Sequence, residues 1–363
     1  MFFVVASLIN LFMAVYIIIS LLGPLHVNNL VKLLMAIVVL LLSQKIWLTA
    51  AVSYFNHSFN PSDYWFTTAT GFIQILLFCF FIVALTADII SVPLAFLHVS
   101  LAWKVPIVTV IATVIAAYGF YEAVKVPAVK AVTVESELLP ENFQPATIAV
   151  LSDLHIVTNS AHEKKWLEKT VEKTNALNAD MIFVTGDIID ASVGYLKDQV
   201  KPLFDLKAKG GVYYVFGNHE TYRGAKAWQE YFDANGAQVI NDKWVGADLG
   251  DNPVLVAGIY ENPNLLDNMK SGRPVILLAH YPDTARKIPE DLVVLQVSGH
   301  THGGQIKPLA PLVARMNGGF VNGLYNIGKT KLYVHPGTGL WRGFPFRFLT
   351  PSEITLITLK RKE

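Results

Sequence analysis

The sequence predicts two structural parts, an N-terminal α-helical membrane region of about four spans and a C-terminal α/β domain. Apolar residues make up 53% of the 363-residue chain and charged residues 16%, against roughly 25% charged in an average soluble domain. Only five charged residues precede residue 120. We therefore expect membrane helices over residues 1–122, a linker over 123–145 and a folded domain over 146–363.

Four apolar stretches are long enough to cross a bilayer, whose core of roughly 30 Å requires about 20 helical residues. They cover residues 2–22, 30–52, 66–90 and 104–122. The first lacks the basic start of a signal peptide and three more follow it, so we interpret it as a span. In the second, either the span ends near Leu42 or Lys45 reaches the interface; an ionisable group inside the bundle is the alternative.

The lysines near the span ends predict the orientation of the chain. Lys125 and Lys130 follow the last span and Lys45 flanks the second, whereas Lys32 and Lys104 lie in the alternate loops. This small difference predicts a multi-pass protein of the cell membrane whose C-terminal domain is cytoplasmic. The remaining chain carries 26 basic and 26 acidic residues, so it has no basic field for nucleic acid.

The domain after residue 145 has the pattern of an α/β fold. Short apolar runs predict strands buried on both faces. Charged and apolar residues at helical spacing from Glu163 to Leu177 predict a helix between the first two strands, which favours α/β architecture. Three prolines (Pro127, Pro140 and Pro145) mark the linker. The predicted strands are 147–151, 181–184, 212–216, 275–278 and 293–297.

A polar motif follows each of the five predicted strands. Ligand sites in open α/β sheets form beyond the carboxyl ends of the strands, so we expect the motifs to meet there. Histidine, aspartate and asparagine are ligands for borderline divalent metals. The motifs are Asp153-Leu154-His155, Gly186-Asp187-Ile188-Ile189-Asp190, Gly217-Asn218-His219-Glu220, His280 and Gly299-His300-Thr301-His302.

These motifs, in this order, resemble the calcineurin-like metallophosphoesterase superfamily over residues 146–360. The resemblance implies a two-sheet β sandwich flanked by helices, with two divalent metal ions at one edge; manganese, iron and zinc suit such ligands equally. It assigns Asp153, His155 and His302 to one ion, Asn218, His280 and His300 to the other, Asp187 as the bridge, and His219 as a histidine that faces the substrate without binding metal.

The expected chemistry is hydrolysis of a phosphate ester by a metal-bound hydroxide. Two metal ions about 3.5–4 Å apart can clamp a phosphate and acidify a water, and His219 can donate a proton to the leaving oxygen. We interpret Asp190 as a capping or orienting residue, and Glu220 as able to orient His219. Glycines in the motifs, such as Gly186 and Gly217, are expected to supply permissive backbone angles.

The motifs do not specify the ester. The 333–341 run and Pro351–Ile354 resemble the bacterial membrane-associated branch of the superfamily, some of whose members act on phospholipid-like or nucleotide-linked lipids. A membrane tether raises the effective concentration of a lipid substrate, so we expect a phosphodiester or pyrophosphate bond of a lipid-linked substrate. The alternatives are hydrolysis of soluble phosphoesters such as nucleotides, and a non-catalytic membrane sensor or binding module.

Two apolar segments are candidates for contact with lipid. Pro308–Val321 carries several apolar side chains with the single charge of Arg315, and Trp341–Phe348 adds four aromatic rings and two arginines. Apolar groups flanked by cations suit a surface that dips into lipid headgroups. The alternative is that both segments pack on the sandwich.

Overall fold

The computed structural model describes residues 2–45, 47, 49, 63–96, 103–267, 269–289 and 291–363. The chain forms two compact units. The helical unit comprises Met1–Tyr121 together with Arg342–Phe346, and the sandwich unit comprises Glu122–Trp341 together with Arg347–Glu363.

Three helices of the helical unit are long and apolar enough to cross a membrane, over Val4–Leu22, Tyr64–Pro93 and Lys104–Val124. The second predicted span begins as a helix of 15 residues, and its continuation at 46, 48 and 50–52 lies outside the described residues. The helices are α1 (Phe2–Ile17, continued by a π turn at Ile18–Leu22), α2 (Asn29–Ser43), α3 (Tyr64–Phe96) and α4 (Lys104–Val124).

A polar cluster joins three of these helices. Asp88 of α3 forms an ion pair with Lys104 at the start of α4. Its carboxylate also accepts hydrogen bonds from Tyr16 (2.8 Å) and Ser20 (2.6 Å), both contributed by the first helix and its π turn. Charged groups among apolar helices are stable only when they are paired, so this cluster fixes how the three helices pack.

The segment Arg342–Phe346 packs among these helices. Rings of Phe344 and Phe346 lie 5.6 and 6.1 Å from the ring of Phe78 in edge-on contacts. Gly71 and Gly119 allow this approach, because a Cβ at either position would collide with Pro345 or with the Phe346 ring. Phe346 is 2% exposed, so its predicted place on a lipid-facing surface of the domain is wrong, since its ring fills a space between helices.

The sandwich unit contains two mixed six-stranded sheets, and all five predicted strands are present. The first sheet has the order β1-β12-β2-β3-β4-β5 and the second β10-β11-β9-β8-β7-β6. The strands are β1 (Ala128–Ser136), β2 (Ala146–Leu151), β3 (Met181–Thr185), β4 (Val212–Val215), β5 (Gln238–Val239), β6 (Lys243–Leu249), β7 (Asn252–Ile259), β8 (Val275–Ala279), β9 (Val293–Ser298), β10 (Gly323–Ile327), β11 (Thr330–Val334) and β12 (Glu353–Arg361).

The expected linker over 123–145 differs from the structure, because β1 lies within it. This strand pairs in parallel with β12 along its whole length, from Ala128 opposite Glu353 to Ser136 opposite Arg361. Pro127 and Pro145 immediately precede β1 and β2, so these prolines mark where strands begin rather than a region without structure. The connection between α4 and β1 is therefore only Lys125–Pro127.

The facing sides of the two sheets share one apolar core. Ile148, Val150 and Phe183 of the first sheet join Ile276 and Leu295 of the second in a single buried cluster. Helices cover the outer face of the first sheet, where α5 and α8 contribute to a second buried cluster. The helices of this unit are α5 (Ala161–Asn175), α6 (Val193–Leu196), α7 (Asn218–Arg223), α8 (Ala225–Ala234) and α9 (Ala310–Met316).

Candidate metal centre

The five motifs converge at one edge of the sandwich. They follow the carboxyl ends of β2, β3 and β4 in one sheet and of β8 and β9 in the other. Because each of these strands is parallel to its neighbour among the five, their ends lie on the same side of each sheet. Three loops from the first sheet therefore face two loops from the second, and side chains that are far apart in the sequence meet between them.

The first predicted metal group is Asp153, His155 and His302, whose ligand atoms lie within 4.8 Å of one another. His302 Nε2 is 3.7 Å from Asp153 Oδ1 and 3.1 Å from His155 Nε2. Asp153 is held in place, since its carboxylate accepts hydrogen bonds from Ser152 Oγ (2.6 Å) and His300 N (3.1 Å). This group offers two imidazole nitrogens and one carboxylate oxygen to a cation.

The second group contains Asp187, His280 and His300, again with ligand atoms within 4.8 Å of one another. His280 Nε2 lies 3.2 Å from Asp187 Oδ2. The same Oδ2 atom is 3.9 Å from His155 Nε2 of the first group. Asp187 therefore lies between the two groups, as a bridging carboxylate requires. Asn218 lines the cavity beside them.

Hydrogen bonds from the outer ring nitrogens orient two of the histidines. Nδ1 of His280 is 2.8 Å from the carbonyl oxygen of Thr185 and donates to it. Nδ1 of His155 is 3.2 Å from Asp190 Oδ2. Each bond fixes the tautomer and leaves the Nε2 lone pair for a metal, the usual arrangement of metal-binding imidazoles.

Asp190 serves two histidines at once, which places it as the orienting residue expected from the sequence. Besides His155, its carboxylate receives a short hydrogen bond from Nδ1 of His219. His219 Nε2 is left to face the cavity, and the side chain is 22% exposed. The role considered for Glu220, orientation of His219, therefore belongs to Asp190.

Glu220 fastens two of the motif loops together. It is fully buried. One carboxylate oxygen accepts from the backbone N–H of Asp187 (3.1 Å) and Gly217 (2.7 Å). The other accepts from Ile188 (2.7 Å) and Ile189 (3.0 Å). Burial and the nearby Asp187 raise the pKa of Glu220 to about 7, while the two N–H donors on each oxygen favour the carboxylate form.

The change Glu220→Gln is therefore expected to lower the free energy of unfolding by about 1–3 kcal/mol, because the new NH₂ group faces two N–H donors and leaves them unsatisfied. Glu230→Gln makes the same change on an exposed side chain and serves as the control. Chemical or thermal unfolding of the detergent-solubilised chain measures both. Equal stability of the two variants would show that the carboxylate is dispensable.

Strained backbone accompanies the site. A left-handed φ is uncommon for residues other than glycine and marks functional positions. Five of the predicted metal ligands adopt it, namely Asp153 (φ 53°), His155 (49°), Asp187 (50°), His300 (72°) and His302 (49°).

The motif glycines act mainly by lacking a side chain. Gly186 has a φ of 86°, as expected from permissive angles. Gly217 does not require such an angle, since its φ is −112°. A Cβ at Gly217 would collide with Asp187, and one at Gly299 with Asp153. These glycines therefore let the strand ends approach the ligands.

The electrostatics favour cations at this site. Burial opposes a charged His155, but Asp190, Asp187 and Asp153 raise its pKa to about 9. Burial also opposes a charged His280, yet the pKa of this imidazole rises to about 10, chiefly because of Asp187. Protons or metal ions can satisfy this negative field, so metal binding competes with protonation of the same nitrogens.

Buried polar atoms without suitable partners in the described part of the chain are further evidence that these residues form a metal centre. Asn218 Oδ1 is buried without a hydrogen-bond partner among the described residues, which is costly for an amide oxygen. With Nδ1 of His280 donating to Thr185, the neutral ring turns its Nε2 lone pair towards Asp187 Oδ2. Nε2 atoms of His155 and His302 face each other in the same way. A metal ion between them, like a proton in its absence, turns these close approaches into attraction.

The site opens into a cavity of about 210 Å³. Six of the eight predicted site residues line it, and no local sequence signal predicted Gln305 or Leu340. The cavity is lined by His155, Asp187, Asn218, His219, His300, His302, Gln305, Leu340 and Trp341.

Arg347 supports the site from behind. It is completely buried, so the predicted cationic surface does not include it. Its guanidinium donates to the carbonyl oxygens of Gly339 (2.7 Å), Thr350 (3.3 Å), His302 (3.4 Å) and Gly337 (3.4 Å). Burial lowers its pKa to about 10. An arginine whose hydrogen bonds go only to backbone carbonyls has no signature in the sequence.

Comparison with known proteins agrees with this geometry. The calcineurin-like phosphoesterase pattern matches residues 146–304. An uncharacterized metallophosphoesterase of Campylobacter jejuni is 33% identical over 346 residues, covering 90% of this chain and 88% of that protein. One from Bacillus subtilis is 34% identical over 242 residues, or 63% and 84% of the two chains. A zebrafish transmembrane protein with a metallophosphoesterase domain is 32% identical over 273 residues, or 69% and 62%.

The chain therefore belongs to the calcineurin-like phosphoesterases. It is a metal-dependent phosphoester hydrolase that uses divalent metal ions. Its relatives come from both bacteria and animals.

The change Asp190→Asn is expected to weaken metal affinity by about 10–100-fold, because one fewer anion orients and polarises His155. Turnover should fall as well, since His219 loses the same partner. Metal titration and kcat, measured on one preparation, separate the two effects. Asp198→Asn removes an exposed carboxylate and should change neither; an unchanged metal affinity in Asp190→Asn would contradict the orienting role.

Proposed function

We propose that this protein hydrolyses a phosphodiester or pyrophosphate bond of a lipid-linked substrate at a centre of two divalent metal ions. The single observation that carries the proposal is the pair of ligand groups joined by Asp187, with His219 beside them. Two groups that share one carboxylate are what a dinuclear site needs, whereas a mononuclear site would need only one of them.

The site residues divide the reaction between them. When bound, two metal ions would clamp the phosphate and acidify the attacking water. Asp187 would hold the two ions close together, and the imidazoles of His280 and His300 would be ligands of one ion without adding negative charge. His219, in its doubly protonated form, donates from Nε2 to the leaving oxygen while Asp190 holds Nδ1. The attacking water releases a proton to solvent, and the neutral imidazole left by the transfer takes one up from solvent for the next turnover.

We place the protein in the cell membrane with the sandwich unit in the cytoplasm. The three helices long enough to cross a bilayer support the membrane placement. The exposed apolar side chains along them, such as Leu8 (60%), Phe12 (62%) and Val110 (62%), suit contact with lipid rather than water. A tether to the membrane favours substrates that lie in the same bilayer.

A second candidate substrate class is soluble nucleotides. Two exposed tyrosines lie beside the site and favour it. The ring of Tyr222 is 5.7 Å from that of His219, and the ring of Tyr281 is 4.6 Å from that of His300. Exposed aromatic faces can stack on bases, which is worth about 1–3 kcal/mol per base.

A substrate panel on the full chain in detergent micelles tests the proposal. It compares a phosphodiester lipid and a lipid-linked pyrophosphate with nucleotides and a soluble aryl phosphodiester, each with manganese, iron or zinc. We expect the highest kcat/KM for a lipid-linked ester. Higher kcat/KM for nucleotides would favour the second candidate, and the absence of hydrolysis of every ester would overturn both.

A further inference from the structure

Helix α9 of the sandwich unit exposes an apolar face. Leu309, immediately before the helix, and Leu312 and Met316 within it recur at helical spacing and are 45%, 59% and 78% exposed. Phe320, from the same segment, is buried in a small core cluster, so it belongs to the fold rather than to this surface. Three large apolar side chains on one helix face are costly in water and usually mark a contact. We call Leu309, Leu312 and Met316 the α9 face.

Two cations flank the α9 face. Lys307 precedes it and Arg315 lies within the helix, and both are exposed. Neither forms an ion pair with a described residue, whereas the nearby Asp283 is already paired with Lys287 (3.0 Å). Free cations beside an apolar helix face match an anionic lipid surface, in which the apolar groups enter the acyl boundary and the cations meet the headgroups.

The chain keeps the sandwich unit close to lipid. Only Lys125–Pro127 separates α4 from β1, and α5 fastens that connection. Trp166 donates to the carbonyl oxygen of Lys125 (3.0 Å) and Lys173 to that of Pro127 (2.6 Å). This short connection tethers the sandwich unit to an apolar helix, so a bilayer that contains α4 would be the nearest apolar surface. We propose that the α9 face inserts into the headgroup region of an anionic membrane.

The α9 face is joined directly to the metal-binding loop. Ala310, at the start of the helix, packs so closely on Gly304 that a Cβ there would lie 2.7 Å from Ala310 Cα. Thr301 Oγ1 also donates to the carbonyl oxygen of Val321 beyond the helix (2.6 Å). Insertion of the α9 face would thus hold the loop of His300 and His302 near the headgroup region. This consequence for catalysis rests on the proposed function, whereas the insertion itself does not.

Depth-dependent quenching tests the insertion without any substrate. Cys79, the single cysteine of the chain, is replaced by serine so that Leu312→Cys carries the only thiol. This full chain is labelled with an environment-sensitive fluorophore and reconstituted in nanodiscs containing phosphatidylglycerol and spin-labelled lipid. Trp244→Cys provides a matched control, because Trp244 is 50% exposed and lies on β6 at one edge of the second sheet. Helix α9 directly precedes β10, which forms the other edge of that sheet. We expect quenching and a blue shift at 312 but not at 244. Equal signals at the two positions would overturn the proposal.

Charge removal tests the choice of an anionic surface. The double change Lys307→Gln and Arg315→Gln should reduce quenching at 312 in phosphatidylglycerol nanodiscs. Each cation near an anionic surface contributes about fivefold to the partition equilibrium. Wild type in pure phosphatidylcholine should resemble the double variant. Equal quenching in both lipids, and in wild type and the double variant, would overturn the assignment to anionic lipid.

Measurements of catalysis distinguish the proposed insertion of the α9 face from the proposed lipid substrate. Leu312→Glu should lower hydrolysis of a bilayer-embedded phosphodiester by about tenfold or more, because a charged side chain opposes entry of the α9 face into the membrane. Hydrolysis of a soluble aryl phosphodiester should be unchanged, as it should be for Trp244→Glu with both substrates. Loss of both activities in Leu312→Glu would show a structural role. Quenching at 312 without hydrolysis of any lipid ester would retain the insertion and overturn only the lipid substrate.

Discussion

His219→Ala is expected to lower kcat by about 10²–10⁴-fold, the usual contribution of a positioned general acid. The metal content should not change, because His219 Nε2 faces the cavity while Nδ1 is bonded to Asp190. Metal analysis and steady-state kinetics of the same preparation measure both quantities. His162→Ala removes an exposed histidine outside the site and should leave kcat unaltered.

The leaving group tells a proton donor from a residue that only shapes the cavity. A nitrophenolate departs without a proton, whereas an alkoxide needs one, so the loss in His219→Ala should be much smaller for the aryl ester. A loss of equal size for aryl and alkyl esters would count against proton donation. Loss of metal from the variant would instead make His219 a ligand.

Asp187→Asn is expected to remove at least one metal ion and to lower turnover by ~10³-fold or more, because several kcal/mol of charge stabilisation depend on the ions. The carboxylate approaches both ligand groups, at 3.2 Å from His280 Nε2 and 3.9 Å from His155 Nε2. An amide offers one neutral oxygen and cannot hold two cations a few ångströms apart. Elemental analysis of the purified full chain counts the ions directly.

Folding must be shown to survive this change. Asp187 Oδ1 accepts from the backbone N–H of His219 (2.9 Å), and the amide oxygen of asparagine can accept the same bond. The unfolding midpoint of the chelator-treated variant should therefore match that of chelator-treated wild type. Retention of two ions in folded Asp187→Asn would contradict the bridging role.

The sequence was most informative where several signals agreed. Each of the five apolar runs became a strand, and each motif lies at the carboxyl end of its strand, because buried parallel strands have both a strong apolar signature and a fixed direction. The roles of Asp190 and of the motif glycines were only partly predictable. Which imidazole a carboxylate reaches, and which Cβ would collide, depends on contacts between residues far apart in the chain.

The errors have physical causes. Most residues of the edge strand β1 (128–136) are exposed, and its first four are all exposed, so it lacks the continuous apolar run that revealed the buried strands. The Trp341–Phe348 segment looked like one surface but is divided: Phe346 packs among helices and Arg347 bonds to backbone carbonyls in the sandwich unit. Composition alone cannot distinguish a buried arginine from one that meets solvent, since its partners here are carbonyl oxygens.

The measurement closest to the central claim is metal stoichiometry together with activity in one titration. The full chain, stripped by chelator, is reloaded with manganese, iron or zinc while bound metal and hydrolysis of an aryl phosphodiester are followed. We predict that activity appears as the content rises to two ions per chain and that Asp187→Asn fails to reach it. Full activity at one ion per chain, or two bound ions without hydrolysis of any phosphoester, would contradict the account.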